Sequence, residues 1–190
     1  VGPGVGTIRG ARGDRAARGR STGGVSATAA YRHFGSLPEL VEAVSVGCLS
    51  ELAQSMEAEL ARCESTDRPQ DDAWTRMRAI GRGYVRFALR EPGLFTVAFN
   101  RKGRSRGPAD GPGDSGQSAK ELLEWALDDL VVVGLLTPAD RPAASTAAWA
   151  SVHGLSLLLL GPLADVPMAE REALIESTLD LVGRGMIIRP

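Results

Sequence analysis

Apolar residues in this chain recur at the 3–4 residue spacing of α-helices in block after block, and no stretch alternates in the way a half-buried strand does. Val41, Val44, Cys48, Leu52, Met56 and Leu60 follow one another at intervals of 3, 4, 4, 4 and 4. They form one apolar face of a helix predicted to run to about Cys63, with Glu42, Glu51, Glu57 and Glu59 mostly off that face. After a turn around Pro69, Asp71 or Asp72 can cap a second helix reaching Arg90, with Trp74, Met77, Ile80 or Gly81, Tyr84, Phe87 and Ala88 on one side. Glu91-Pro92-Gly93 ends it, and residues 94–99 read as a short apolar helical segment. Residues 117–136 are predicted helical through Leu122, Leu123, Trp125, Ala126, Leu130 and Val133. Pro138 or Pro142 opens the next helix, which runs to Leu160 and stops at Gly161-Pro162. A last helix spans Met168 to about Met186, with Leu174, Ile175, Thr178, Leu179 and Val182 along one side. The only β-branched run is 131–133, so the predicted fold class is all-α.

Two segments fall outside this periodicity. Residues 1–24 hold eight glycines and one proline among scattered apolar positions and are predicted irregular, disordered or non-native. Residues 100–116 contain no apolar side chain except Ala109 and are predicted to be a mobile linker. Between them the pattern sharpens at Val25. Ser26 can N-cap a short helix over 27–34. Gly35 sits where a helix ends in a left-handed residue, and Ser36-Leu37-Pro38-Glu39 has the form of a capping box for the long helix that follows. Two helices therefore meet across a two-residue break.

Composition narrows the class further. In 190 residues, 43% apolar and 24% charged content suits one globular domain with a small appendage. No uninterrupted run of 18 apolar residues occurs and no apolar leader is visible, so neither a transmembrane helix nor a signal peptide is expected, and the cytoplasm is the expected compartment. Cys48 and Cys63, 15 residues apart on one predicted helix, would stand roughly 22 Å apart, too far for a disulfide. They read as two small apolar side chains, and the two histidines, His33 and His153, form no metal-ligand cluster with them. No metal, cofactor or nucleophile–base–acid set is predicted, hence no enzyme. Glu121, Glu124, Asp128 and Asp129 read as a solvated helix face.

The charge is unevenly spread. Residues 1–35 carry six arginines against Asp14, a balance of +5, and the remaining 155 residues carry 16 bases and 22 acids, a balance of −6. A basic front on an acidic body points to a polyanionic partner at that end, although an Arg/Gly tail gives the same balance. The short helix over 27–34 presents Ser26, Thr28, Tyr31, Arg32 and His33 on its outer face, groups able to reach phosphates or base edges. Ala27, Ala29 and Ala30 permit close approach, and Phe34 is predicted to dock inward. A short polar-faced helix, a tight break and a long amphipathic helix make the back half of a helix-turn-helix and the helix that braces it.

The stretch Gly23-Gly24-Val25-Ser26, Tyr31-Arg32-His33-Phe34 and Ser36-Leu37-Pro38-Glu39-Leu40 resembles the recognition-helix region of the TetR family of transcriptional regulators. Ala148-Trp149-Ala150-Ser151-Val152-His153-Gly154-Leu155 is similar to a Trp-x-x-x-His-Gly signature in the C-terminal domains of one TetR subgroup. The resemblance implies a helix-turn-helix domain at 25–48, a helical ligand-binding and dimerisation domain at 49–190, and a homodimer formed through the last two helices. It implies operator DNA read by Ser26, Ala27, Thr28, Tyr31, Arg32 and His33, and release by a small effector, as expected of a repressor. It departs from the family pattern in two ways. Gly19, Arg20, Ser21 and Thr22 stand where a preceding helix carries apolar residues, and Leu37 replaces the usual lysine. The reading drawn from this is that the native frame was lost ahead of about residue 23. A dimeric helical small-molecule-binding protein without DNA binding is therefore the alternative. The pocket is expected among helices spanning 71–160, lined by Tyr84, Phe87, Phe95, Phe99, Trp125, Trp149 and His153, for a largely apolar or aromatic effector. Gly154 is expected to permit a close helix approach.

Overall fold

A computed structural model describes residues 35–99 and 111–186. Among the described residues six helices run in the order α1 Leu37–Leu60, α2 Pro69–Arg90, α3 Pro92–Phe99, α4 Ala119–Val132, α5 Arg141–Leu160 and α6 Met168–Met186. Among the described residues the only β pairing is an isolated bridge between Pro112 and Ser118. The fold is all-α.

The ends of the helices follow from their chemistry. The Ser36 hydroxyl accepts from the Glu39 N–H at 3.3 Å, while the Glu39 carboxylate reaches one residue further back than in a standard box and accepts from the Gly35 N–H at 2.8 Å. At α4 the box closes fully: Ser118 and Glu121 exchange side-chain to backbone bonds in both directions. Neither Asp71 nor Asp72 caps α2. Pro69 is its first residue, and Asp72 instead accepts from the Thr66 N–H and from the Thr66 and Ser65 hydroxyls, tying the preceding turn to the helix. The helix predicted to reach residue 136 ends at Val132. Gly134 adopts φ +75°, and the N–H groups of Leu135 and Leu136 both return to the Leu130 carbonyl.

α2 is the central helix and touches each of the other five. Its burial is wider than the single apolar side predicted for it: Ala73, Ala79 and Val85 are buried as well as Met77, Tyr84 and Phe87. Gly83 permits part of this. A Cβ there would lie 2.5 Å from the Met56 Cα and 2.7 Å from the Ser55 carbonyl oxygen. The Ser55 hydroxyl donates to the Gly83 carbonyl at 2.9 Å across the same crossing of α1 and α2. Gly154 plays no such part, because nothing lies within 4 Å of a Cβ built on it. The expected close approach at that glycine is corrected.

Two apolar clusters share α2. The larger joins Cys48, Leu52, Met56, Phe87, Phe95, Leu127 and Leu130 from α1 to α4, and the smaller joins Val85 to Leu155, Leu159 and Ile175 of α5 and α6. An arginine ladder closes the flank. Arg78, Arg82 and Arg86 stand one turn apart on α2, facing Glu172, Glu176 and Asp180 one turn apart on α6. Glu59 of α1, with a side chain only 7% exposed, meets Arg86 at 2.9 Å and Arg82 at 3.5 Å and also pairs with Arg62. One carboxylate thereby ties α1 to α2, and the ladder ties α2 to α6.

Several sequence expectations change here. The acidic run on α4 is engaged rather than simply solvated: Glu124 and Asp128 hold Arg141, Asp129 holds Arg76, and Glu121 closes its own helix cap. Residues 111–116, taken as part of a mobile linker, are pinned to α1. Gln54 donates to Asp114 at 2.9 Å, and Glu57 accepts from the N–H groups of Asp114 and Ser115. The rest of that linker, residues 100–110, and the expectations for residues 1–34, lie outside the described residues. Both cysteines are free, Cys48 buried and Cys63 partly so, in a turn beyond the end of α1. α5 is long and apolar enough to cross a membrane by length and composition, with a mean hydropathy of 1.4, a possibility that a search for uninterrupted apolar runs passes over. Here it packs against α2, α4 and α6.

Candidate ligand-binding site

All six helices contribute to the wall of a cavity of about 620 Å³. That lies within the range of pockets that take small organic ligands. Its surface is mostly apolar: Leu49, Leu52 and Met56 come from α1, Trp74, Met77 and Ile80 from α2, Leu123 from α4, and Leu179 and Val182 from α6. The cavity exists because bulky side chains on crossing helices hold the backbones apart while small residues stand opposite them. The outer edge of the Trp74 ring packs against Gly183, and the Leu179 side chain closes over Gly81.

At one side is an aromatic group built on α2, α3 and α5. Tyr84 meets Phe95 edge to face at 5.9 Å between ring centroids, Phe95 and Phe99 are 4.9 Å apart, and the His153 ring lies 5.0 Å from Phe99 and 5.4 Å from Phe95. The Tyr84 hydroxyl is 2.9 Å from Nδ1 of His153. Burial pushes the Tyr84 phenol well above its ordinary value, with Trp149 opposing in part, and burial also pulls His153 down from 6.5. At neutral pH the phenol keeps its proton and the imidazole is neutral, so the pair shares a hydrogen bond between two uncharged groups.

Of the seven residues predicted to line the pocket, Tyr84, Phe99 and Trp149 are on the cavity wall. Phe87 and Phe95 are sealed in the core at 0% exposure, and His153 stands behind Tyr84 as its hydrogen-bond partner. Trp125 faces outward, 42% exposed, with the Arg76 guanidinium 5.9 Å over its ring. The pocket also extends beyond helices 71–160, since α1 and α6 form part of the wall. Those residues carried a visible signal, the apolar stripes containing Leu52, Met56, Leu179 and Val182, but a stripe facing a cavity has the same period as one facing a core. Ser26, Ala27, Thr28, Tyr31, Arg32 and His33 lie outside the described residues.

Charged groups on the wall are Arg78, Lys120 and Glu124. Glu124 accepts from the Ser145 hydroxyl at 2.7 Å and from Arg141, and these partners hold its carboxyl below the ordinary carboxylate value. Among the described residues no group of three or more His, Cys, Asp or Glu side chains is placed to hold a metal ion.

Comparison with known proteins gives this arrangement a context. A solved structure of a protein with unknown function from Rhodococcus sp. RHA1 has a similar fold, with a TM-score of 0.67 and 22% identity over 87% of this chain and 80% of that one. No curated protein sequence matches significantly. The model of the tetracyclin repressor-like C-terminal domain matches residues 77–182, from within α2 to within α6 and more than half of the chain. This all-α chain, with its apolar cavity, belongs to the tetracycline-repressor-like (TetR) family.

Proposed function

We propose that this protein is a ligand-responsive transcriptional regulator, a repressor that binds operator DNA as a homodimer and lets go when a small, largely apolar effector fills the cavity. The observation that carries this reading is the reach of the cavity. Its wall includes Leu49, Leu52 and Met56 of α1, the helix directly joined to the segment 25–34 assigned to DNA, and residues of α5 and α6, the helices assigned to the dimer. A ligand that fits better with α1 displaced shifts the population toward that arrangement by its difference in affinity. Residues 25–48 form the DNA-binding part in this reading and 49–190 the ligand and dimer part. Trp149, His153 and Gly154 carry the assignment to the Trp-x-x-x-His-Gly subgroup. The protein works in the cytoplasm, without a metal, a cofactor or a catalytic step.

A gel shift with DNA flanking the protein's own gene tests this at two salt concentrations. The expected result is a complex that weakens steeply between 50 and 200 mM salt, as phosphate contacts require, and that loses affinity when Tyr31 and His33 are replaced by alanine. A chain that dimerises and binds small molecules but never shifts this DNA follows the alternative, a helical binding protein without an operator. Gly19, Arg20, Ser21 and Thr22, polar where a bracing helix is apolar, favour that alternative.

A further inference from the structure

We infer that residues 111–118 are a clasp that locks α1 to the start of α4, with the Glu57 carboxylate as its catch, so that two of the helices walling the cavity move together. This goes beyond the effector reading above and holds whether or not the chain reads DNA. The first observation is a second face on α1. Val46, Ser50, Gln54 and Glu57 recur at intervals of 4, 4 and 3, the helical period again, but turned away from the apolar stripe through Cys48, Leu52 and Met56. All four meet the clasp. Gly111 lies flush against the Val46 carbonyl oxygen and Ser50, where a Cβ would run into α1 backbone, 2.5 Å from the Ser50 nitrogen. Gln54 donates to the Asp114 carboxylate at 2.9 Å. Glu57 accepts from the N–H groups of Asp114 at 2.8 Å and Ser115 at 3.0 Å, and from the Ser115 hydroxyl. Gly113 makes room for that carboxylate, since a Cβ there would lie 2.5 Å from one of its oxygens.

The other end of the clasp is the cap of α4. The Gly113 N–H donates to the Gln117 carbonyl at 2.8 Å, Pro112 pairs with Ser118, and Ser118 caps α4 in its box with Glu121. Directly after it, Ala119 and Leu123 of α4 are on the cavity wall, as are Leu49 and Leu52 of α1. The clasp therefore joins two parts of that wall from outside the cavity. Its position along α1 gives it effect. α1 is pinned to α2 at Ser55 and Met56 by the tight crossing at Gly83. Val46 stands ten residues before Met56, about 15 Å along the helix axis. A swing of α1 about the crossing displaces Val46 and Ser50 further than Gln54 or Glu57, and Gly111 lies in its path. Opening the catch frees this half of α1 and the α4 cap together. By linkage, loosening the α4 cap loosens α1.

Native-state hydrogen exchange of the full chain, read amide by amide by NMR, tests this on Glu57→Gln and Gly111→Ala, which disturb the clasp from its two sides. The expected result in each is exchange about ten-fold or more faster at residues 46–50 of α1 and at Glu121 and Leu122 in the first turn of α4, with α5 amides within about two-fold of wild type. Glu121→Gln weakens the α4 cap through a side chain that bonds Ser118, and is expected to speed exchange at residues 46–50 as well. Faster exchange confined to Asp114 and Ser115 overturns the clasp, leaving a surface loop held by one carboxylate. A uniform rise that includes α5 overturns it too, because Glu57 then supports the whole fold. If Glu57→Gln or Gly111→Ala fails to fold, Ser115→Ala, which removes one exposed hydroxyl from the catch, decides by the same pattern.

Discussion

Tyr84 and His153 show how one contact ties chemistry to stability. The His153 imidazole is held neutral because burial lowers its affinity for a proton, and its Nδ1 is occupied by the Tyr84 hydroxyl. The unfolded chain then takes up a proton near pH 6.5 before the folded chain does, so stability falls as pH drops below that value and is unaffected by this group above it. Thermal unfolding of wild type and His153→Asn at pH 7.5 and pH 5.5 checks this. The wild type is expected to lose more between the two pH values than the variant, the difference isolating His153 from carboxylates that titrate lower. Glycines make a second contrast at this scale. Gly83→Ala drives a methyl into the α1 backbone and is expected to cost about 1–3 kcal/mol. Gly154→Ala meets nothing within 4 Å in a helix interior and is expected to stabilise by about 0.5–1 kcal/mol. Denaturant unfolding of the two variants separates a glycine required for a close approach from one that is not.

The arginine ladder is the feature that belongs to elements. Arg78, Arg82 and Arg86 make α2 polar by composition, yet α2 is the helix with the widest burial, because its arginines discharge onto Glu59 of α1 and onto α6. Replacing Glu59 by Gln leaves two half-buried guanidinium groups short of a partner. The expected loss is about 2 kcal/mol, between the small value of exposed pairs and the large one of buried pairs. Arg62, 67% exposed, is the outer partner of the same carboxylate, and Arg62→Ala is expected to cost no more than about 0.5 kcal/mol. Urea unfolding of both variants, repeated at raised salt, checks the order. The apolar faces of α1 and α6 were readable from their spacing at Cys48, Leu52, Met56 and Ile175, whereas Val44 and Leu174, predicted on the same faces, lie at their edges and are each 36% exposed. The ionic flank of these helices was not readable, since acids and arginines at four-residue intervals satisfy each other equally well along one helix or between two.

For the molecule as a whole, the last two helices leave large apolar side chains uncovered. Leu181 is 68% exposed, Trp149 and Leu157 are each 52% exposed, and Leu158 is 47% exposed. Packed against a second copy, such a surface makes the homodimer proposed above. Leu181→Arg is expected to raise the dimer dissociation constant by about thirty-fold or more, seen by sedimentation as a shift toward monomer, with the helical content unchanged. Loss of secondary structure along with the dimer would instead mean that Leu181 supports the fold of the protomer.

The sequence by itself determined the local order of this protein: an all-α chain, the start of α1 at Ser36, the stop of α5 at Gly161, the run of α6, and a family resemblance readable from the residues around Tyr31 and Trp149. Capping, proline placement and helical period are properties of a few neighbouring residues, so they are written in the chain directly. Tertiary structure alone decided that Phe87 and Phe95 are core while Tyr84 and Phe99 face a cavity, and that Trp125 turns outward under Arg76. An apolar position is the same letter whether its partner is another side chain or empty space. Which it meets depends on how far apart crossing helices are held, and that distance is set by residues remote in sequence, such as Trp74 against Gly183 and Met56 against Gly83.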